Sequence, residues 1–132
     1  MLIVDRATRC ILGWAIIPER TFEAMQALLD RSPQATWYYS DYFSTYHALV
    51  YYPGHHRALK DKSQTFTVEG VNADLRHYMA PFRRASRCFA RSLENLQAMM
   101  KVFTYPFNRC QLRRREYPSY PVFPSTLVSF YV

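Results

Sequence analysis

Glycine is scarce in this chain, with three residues in 132, at positions 13, 54 and 70. Glycines this scattered cannot build a phosphate-cradling loop, which needs several of them clustered between a strand and a helix. Cysteine is equally sparse. Cys10, Cys88 and Cys110 are odd in number, far apart and contain no C-x-x-C, so neither a zinc ribbon nor a disulfide framework is indicated. Buried free thiols in a reducing cytoplasm are the expectation. His55 and His56 adjoin each other, but successive strand residues point to opposite faces, which makes them poor joint metal ligands. No apolar run approaches the ~18 residues of a membrane span. The start, Met1-Leu2-Ile3-Val4, stops at Asp5 and reads as a strand rather than a targeting segment.

Acidic residues are scarce in the C-terminal part of the chain. Residues 1–75 hold seven Lys/Arg against eight Asp/Glu, whereas residues 76–132 hold ten against two, a net charge of +8. Such asymmetry is the footprint of a polyanionic partner, usually nucleic acid. A basic surface kept for solubility is the plain alternative. What the chain does have is aromatic weight. Eleven Tyr and nine Phe, with 49% hydrophobic residues overall, mark a folded chain with one domain's worth of core.

Periodicity supplies a coarse map. Leu2–Arg6 and Cys10–Ile17 are strand-rich around a polar break, a hairpin pattern. Glu19–Arg31 carries Phe22, Met25, Leu28 and Leu29 at helical spacing, with Pro33 beyond its end. A strand is expected at Ala35–Ser40, a helix at Asp41–Val50, a turn at Pro53-Gly54, a short strand at His55–Leu59, and a polar loop at Asp61–Thr65. Glu69 then opens a helix whose Val71, Leu75, Tyr78/Met79 and Phe82 form an apolar stripe. Glu69, Asn72, Arg76, Arg83 and Arg87 fall within about one-sixth of a turn on its other side, if the helix stays straight past Pro81. A second helix, about Ser86–Asn108, is expected to fray near Pro106. From Arg113 onward the pattern is an extended basic, proline-rich tail. Strands first, then alternating helices and strands, make an α/β layer fold with a single sheet.

Two acids stand out. Asp41 closes the aromatic strand Trp37-Tyr38-Tyr39-Ser40, and Glu69 stands where a helix begins. Each has a plain structural explanation: Ser40 or Asp41 as a helix N-cap, Glu69 as an acid favoured by the helix dipole. Together, beside Asn72 and Arg76, they suit Mg²⁺ or Mn²⁺, hard cations that take oxygen ligands in phosphoryl-transfer chemistry. Arg76, Arg83, Arg84, Arg87 and Arg91, five basic residues with no intervening acid, are candidate phosphate contacts. Asp5 is a third acid at a strand end, with a hairpin-turn role as its alternative.

The blocks Asp5-Arg6-Ala7-Thr8-Arg9-Cys10-Ile11-Leu12-Gly13-Trp14, Glu19-Arg20-Thr21, Tyr39-Ser40-Asp41-Tyr42-Phe43, Val68-Glu69-Gly70-Val71-Asn72-Ala73-Asp74-Leu75-Arg76 and Ser86-Arg87-Cys88-Phe89-Ala90-Arg91-Ser92 resemble, in order, the DDE transposases of bacterial insertion sequences. The resemblance is to the insertion sequence one group and covers about residues 2–112. It implies a ribonuclease-H-like domain over residues 1–112, a tail over 113–132, and metal-dependent cutting and joining of DNA at transposon ends. By the same resemblance Asp41 matches the second catalytic aspartate and Glu69 the catalytic glutamate, and these two would hold the metal. Asn72 and Arg76 match polar positions that face DNA or steady the acid. The implied setting is the prokaryotic cytoplasm, at the nucleoid, with DNA and a second copy of the chain as partners and no membrane or small-molecule substrate.

Asp5 does not carry over, because the family's first catalytic aspartate belongs to a strand preceding the Asp5–Arg9 block. The expectation is therefore an N-terminally truncated catalytic domain without its central first strand, inactive alone and weak in metal binding. Its 2–17 hairpin should pair directly with the Trp37 strand or leave backbone groups unsatisfied. Two other readings compete: a non-catalytic DNA-binding or interaction module that uses the arginine-rich helices, and a nuclease of the same fold with Asp5 as its third acid.

Overall fold

The computed structural model describes residues 1–58, 66–79, 82 and 92–115. Its elements are β1 (Leu2–Val4), β2 (Ile11–Trp14), α1 (Phe22–Arg31), β3 (Trp37–Ser40), α2 (Ser44–Ala48), β4 (His55–Ala58), α3 (Phe66–Tyr78) and α4 (Leu93–Arg114). The architecture is mixed α/β, with small sheets and helices.

β1 and β2 form the expected hairpin, antiparallel, with Leu2 opposite Trp14 and Val4 opposite Ile11. Alternation sends Leu2, Val4 and Trp14 to one side, against Val71 of α3 and Phe107 of α4. Met1 and Ile3 go to the other side, against Met25 and Leu29 of α1. A hairpin covered on both faces needs apolar residues at successive positions, which explains the unbroken run Met1–Val4. The loop is closed by Asp5 and by Arg9, whose φ of 63° is left-handed and costs a non-glycine residue some strain.

β3 and β4 pair in parallel, Trp37 with His55 and Tyr39 with Arg57. Parallel pairing requires a crossover, and residues 41–54, including α2, supply it. Gly54 is needed at its end, because a Cβ there would stand 2.2 Å from the Ala35 carbonyl oxygen.

Three helices differ in their bounds from those the sequence suggests. α1 begins at Phe22, with Thr21 as N-cap. α3 begins at Phe66, so Glu69 lies within its first turn rather than opening it, and it ends at Tyr78. Arg83 and Arg87, expected on the same helix, lie outside the described residues. α4 does not fray at Pro106 but continues to Arg114, past the expected start of the tail at Arg113. Pro106 withdraws one donor from the Val102 carbonyl, yet Val102 is 75% exposed and its carbonyl can turn to solvent. Burial of Thr104, Phe107, Asn108, Gln111 and Leu112 outweighs the roughly 3 kcal/mol that an interior proline costs.

The expected single sheet is absent from the described residues, whose strands form two separate two-stranded sheets. Nor does the hairpin pair with the Trp37 strand. Met1–Arg6 and Trp37–Asp41 instead line a common cleft of about 520 Å³. Both strands are only partly buried, so their edge groups can be solvated and escape the penalty of an unpaired buried amide. Side chains tie the two sheets to one core: Ile3 of β1 and Tyr38 of β3 both pack on the Met25, Leu29 and Leu49 cluster. Among the described residues no helix is long and apolar enough to cross a membrane.

Candidate functional site

The cleft between β1 and β3 is lined by Leu29 of α1 and walled by Thr67, Val68, Glu69, Asn72 and Arg76 of α3. It gathers Asp5, Arg6, Arg20, Ser40, Asp41, Glu69, Asn72 and Arg76 among its lining residues. Local folding explains the position of each side chain. Thr67, Val71 and Leu75 are the buried stripe of α3, and helical periodicity then turns Glu69, Asn72 and Arg76 together toward the cleft. Glu69 and Arg76 are exposed and Asn72 is half-buried. The structure thus brings four sequence-selected residues, Asp41, Glu69, Asn72 and Arg76, to one cavity. Arg83, Arg84, Arg87 and Arg91 lie outside the described residues, as does Cys88.

Asp41 sits directly after β3, exposed, with its Oδ1 accepting the Phe43 N–H at 3.3 Å. Phe43, not Ser40 or Asp41, is the N-cap of α2, and α2 has no side-chain cap. The Asp41 carboxylate therefore shapes the turn without being committed to the helix end. Cations stand nearby: the Arg20 guanidinium lies 4.9 Å over the Phe43 ring. Tyr46 feels both charges. Burial is the main cause of its raised pKa, the negative Asp41 adds to it, and Arg20 opposes it.

Asp5 is occupied otherwise. Its Oδ2 accepts the Thr8 N–H at 2.9 Å and the Thr8 hydroxyl, and its Oδ1 faces the Ala7 N–H at 3.4 Å. Both oxygens close the hairpin loop, the turn role expected of a short acid there. Among the described residues no three His, Cys, Asp or Glu side chains come together as a metal-holding group. Oxygen donors of the right kind are present in Asp41 and Glu69, but two carboxylates fall short of the donor set of a two-metal centre.

Arg9 buttresses the wall. Its guanidinium lies so close to Gly70 that a Cβ there would be 2.4 Å from Nη2. The second residue of the Glu69-Gly70 pair thereby admits a cation beside the acid-bearing turn.

One feature of the cleft escapes sequence reasoning. The Ser40 hydroxyl and His56 Nε2 are 2.8 Å apart. The His56 ring stacks on Tyr51 at 4.3 Å and meets the His47 ring edge-on at 5.7 Å. Burial first, and His47 second, lower the His56 pKa. His55 points the other way, against Trp37 at 5.1 Å, so the adjacent histidines do part to opposite faces. The only signal in the sequence is that alternation, because the partners of His56 come from β3, α2 and the loop that follows α2. Cys10 is buried and Cys110 exposed, both as free thiols.

No protein-family model, curated protein or solved structure matches this chain.

Proposed function

We propose that the chain belongs to a transposase-type catalytic domain of ribonuclease-H-like fold. Its DNA-cleaving and strand-joining chemistry is latent in Asp41 and Glu69. The observation that carries this reading is the cleft itself. Asp41, Glu69, Asn72 and Arg76 line one cavity, and that cavity runs between two strands, β1 and β3, that share no partner strand among the described residues. The resemblance of the sequence blocks calls for a first strand in that place, bearing a further aspartate.

In this reading Asp41 and Glu69 are the oxygen donors for Mg²⁺ or Mn²⁺, which when bound would offset phosphate charge. Two acids hold such an ion weakly, because water must complete its shell. Arg76 and Asn72 would bind and orient the DNA backbone, a cation and an amide donor being the usual phosphate contacts. Residues 1–132 alone are expected to be inactive.

The test is Mn²⁺-dependent cleavage of DNA carrying insertion-sequence ends. The chain as it stands should show none. Fusing an aspartate-bearing strand ahead of Met1 should produce cleavage that Asp41→Ala and Glu69→Gln each abolish. Robust cleavage by the unfused chain, lost on Asp41→Ala, would overturn the claim of inactivity. Salt-dependent DNA binding indifferent to Mg²⁺ and to Glu69→Gln, with no cleavage by the fusion, would assign the chain to non-catalytic DNA binding instead.

A further inference from the structure

The solvent face of the β3–β4 pair is not an ordinary polar sheet surface. Alternation turns Tyr38, Ser40, His56 and Ala58 inward and leaves Trp37, Tyr39, His55 and Arg57 exposed. Trp37 and Tyr39 are 44% and 36% exposed. Register sets Trp37 beside His55 and Tyr39 beside Arg57. The Arg57 guanidinium stands 4.6 Å over the Trp37 ring, and Arg6 stands 5.8 Å from the Tyr39 ring centre. Aromatic rings and guanidinium planes thus alternate over a small open surface of a chain with net charge +7.

We infer that this face binds single-stranded DNA by stacking unpaired bases on Trp37 and Tyr39, with Arg57 and Arg6 meeting the adjoining bases and phosphates. The spacing selects single strands. Residues two apart on a strand are separated by about 6.6–6.8 Å. That is about twice the 3.4 Å rise between stacked bases along one strand of a duplex. A duplex cannot present a base to each ring, whereas a strand pulled out of its stack can. Flat aromatic faces accept any base, so recognition is tolerant of sequence, and the cations supply charge complementarity to the backbone. Arg6, Trp37 and Tyr39 also line the cleft, but the binding needs neither Asp41 nor Glu69 and no metal ion, so a measurement in EDTA reads it separately from the proposed cleavage chemistry.

The experiment is fluorescence anisotropy in EDTA, with fluorescein-labelled oligothymidylate as the single strand and the same oligomer annealed to oligoadenylate as the duplex. The chain should bind the single strand about tenfold more tightly than the duplex. Trp37→Leu with Tyr39→Leu should weaken single-strand binding about tenfold or more, and Trp37→Phe with Tyr39→Phe should hold it within about threefold. Duplex binding and its salt dependence should not change with the aromatic variants, since phosphate contacts carry them. Equal binding of both DNA forms, or an unchanged affinity in a leucine variant with wild-type circular dichroism, would overturn the inference. If the leucine variant does not fold, Arg57→Gln probes the same face. It should lower single-strand affinity about fivefold, and no change would count against the inference. Because every measurement is made in EDTA, loss of this binding leaves the cleavage test untouched, and the reverse also holds.

Discussion

Asn108 of α4 holds both backbone groups of Ile11 of β2. Its Oδ1 accepts the Ile11 N–H at 2.8 Å, and its Nδ2 donates to the Ile11 carbonyl at 2.8 Å. A side-chain amide stands where the backbone of a further strand would, capping the hairpin from a helix 97 residues away in sequence. Both residues are buried, Asn108 at 4% and Ile11 at 1% exposure, so neither group has water as a ready substitute.

Asn108→Ala should therefore lower unfolding free energy by about 2–4 kcal/mol, since it strands one buried donor and one buried acceptor. Urea denaturation checks this as a fall in midpoint at unchanged slope. A loss below about 0.5 kcal/mol would mean that the pair is dispensable.

Asp5→Ala should cost about 1–2 kcal/mol, by analogy with the loss of a helix N-cap, because the Thr8 and Ala7 N–H groups lose their acceptor. Asp5→Asn should cost less, as an amide oxygen can still accept from Thr8. Thermal melting of the two variants ranks them. Equal melting temperatures for all three proteins would show that the turn does not depend on this carboxylate.

The glycines should respond differently to alanine. At Gly54 the new methyl meets the Ala35 carbonyl oxygen at 2.2 Å, a backbone atom that cannot swing aside. A destabilisation of about 1–3 kcal/mol is expected there. At Gly70 the obstacle is the end of the Arg9 side chain, which can move. The gain of about 1 kcal/mol in helix propensity offsets that displacement. Chemical denaturation of G54A and G70A side by side should find the first destabilised and the second near neutral.

His56 makes stability depend on pH in a defined direction. Its folded pKa is lowered from 6.5, by burial first and by His47 second. The unfolded chain thus takes up the proton first as pH falls. Stability contributed by the neutral ring is complete above pH 6.5 and is lost as pH drops through the folded pKa. Between about pH 7.5 and about pH 5.5 the wild type should lose more melting temperature than His56→Gln, which has nothing to titrate at this position. Parallel curves would show that His56 is solvated when folded.

Much of the local structure could be read directly from residue order. The hairpin follows from an apolar run broken by Asp5–Arg9, and α1 from Phe22, Met25, Leu28 and Leu29. The parting of His55 from His56 follows from the two-residue period of a strand. Where local signals were opposed by packing they misled. Pro106 argues for a helix end, but the buried residues around it keep α4 continuous. Glu69 marks a helix start, while the actual start is three residues earlier, at Phe66.

For the candidate site, the sequence by itself determined which residues could share a helix face. Glu69, Asn72 and Arg76 recur at helical spacing, and that periodicity is a local property of the backbone. Only the tertiary structure decided that Asp41 joins them in one cleft, that Asp5 turns its carboxylate into its own loop, and that β1 and β3 stand as separate edges across the cavity. Those outcomes depend on contacts between residues far apart in the chain, such as Ile3 and Tyr38 sharing one core cluster and Asn108 gripping Ile11. Their free energies arise only after the helices have packed.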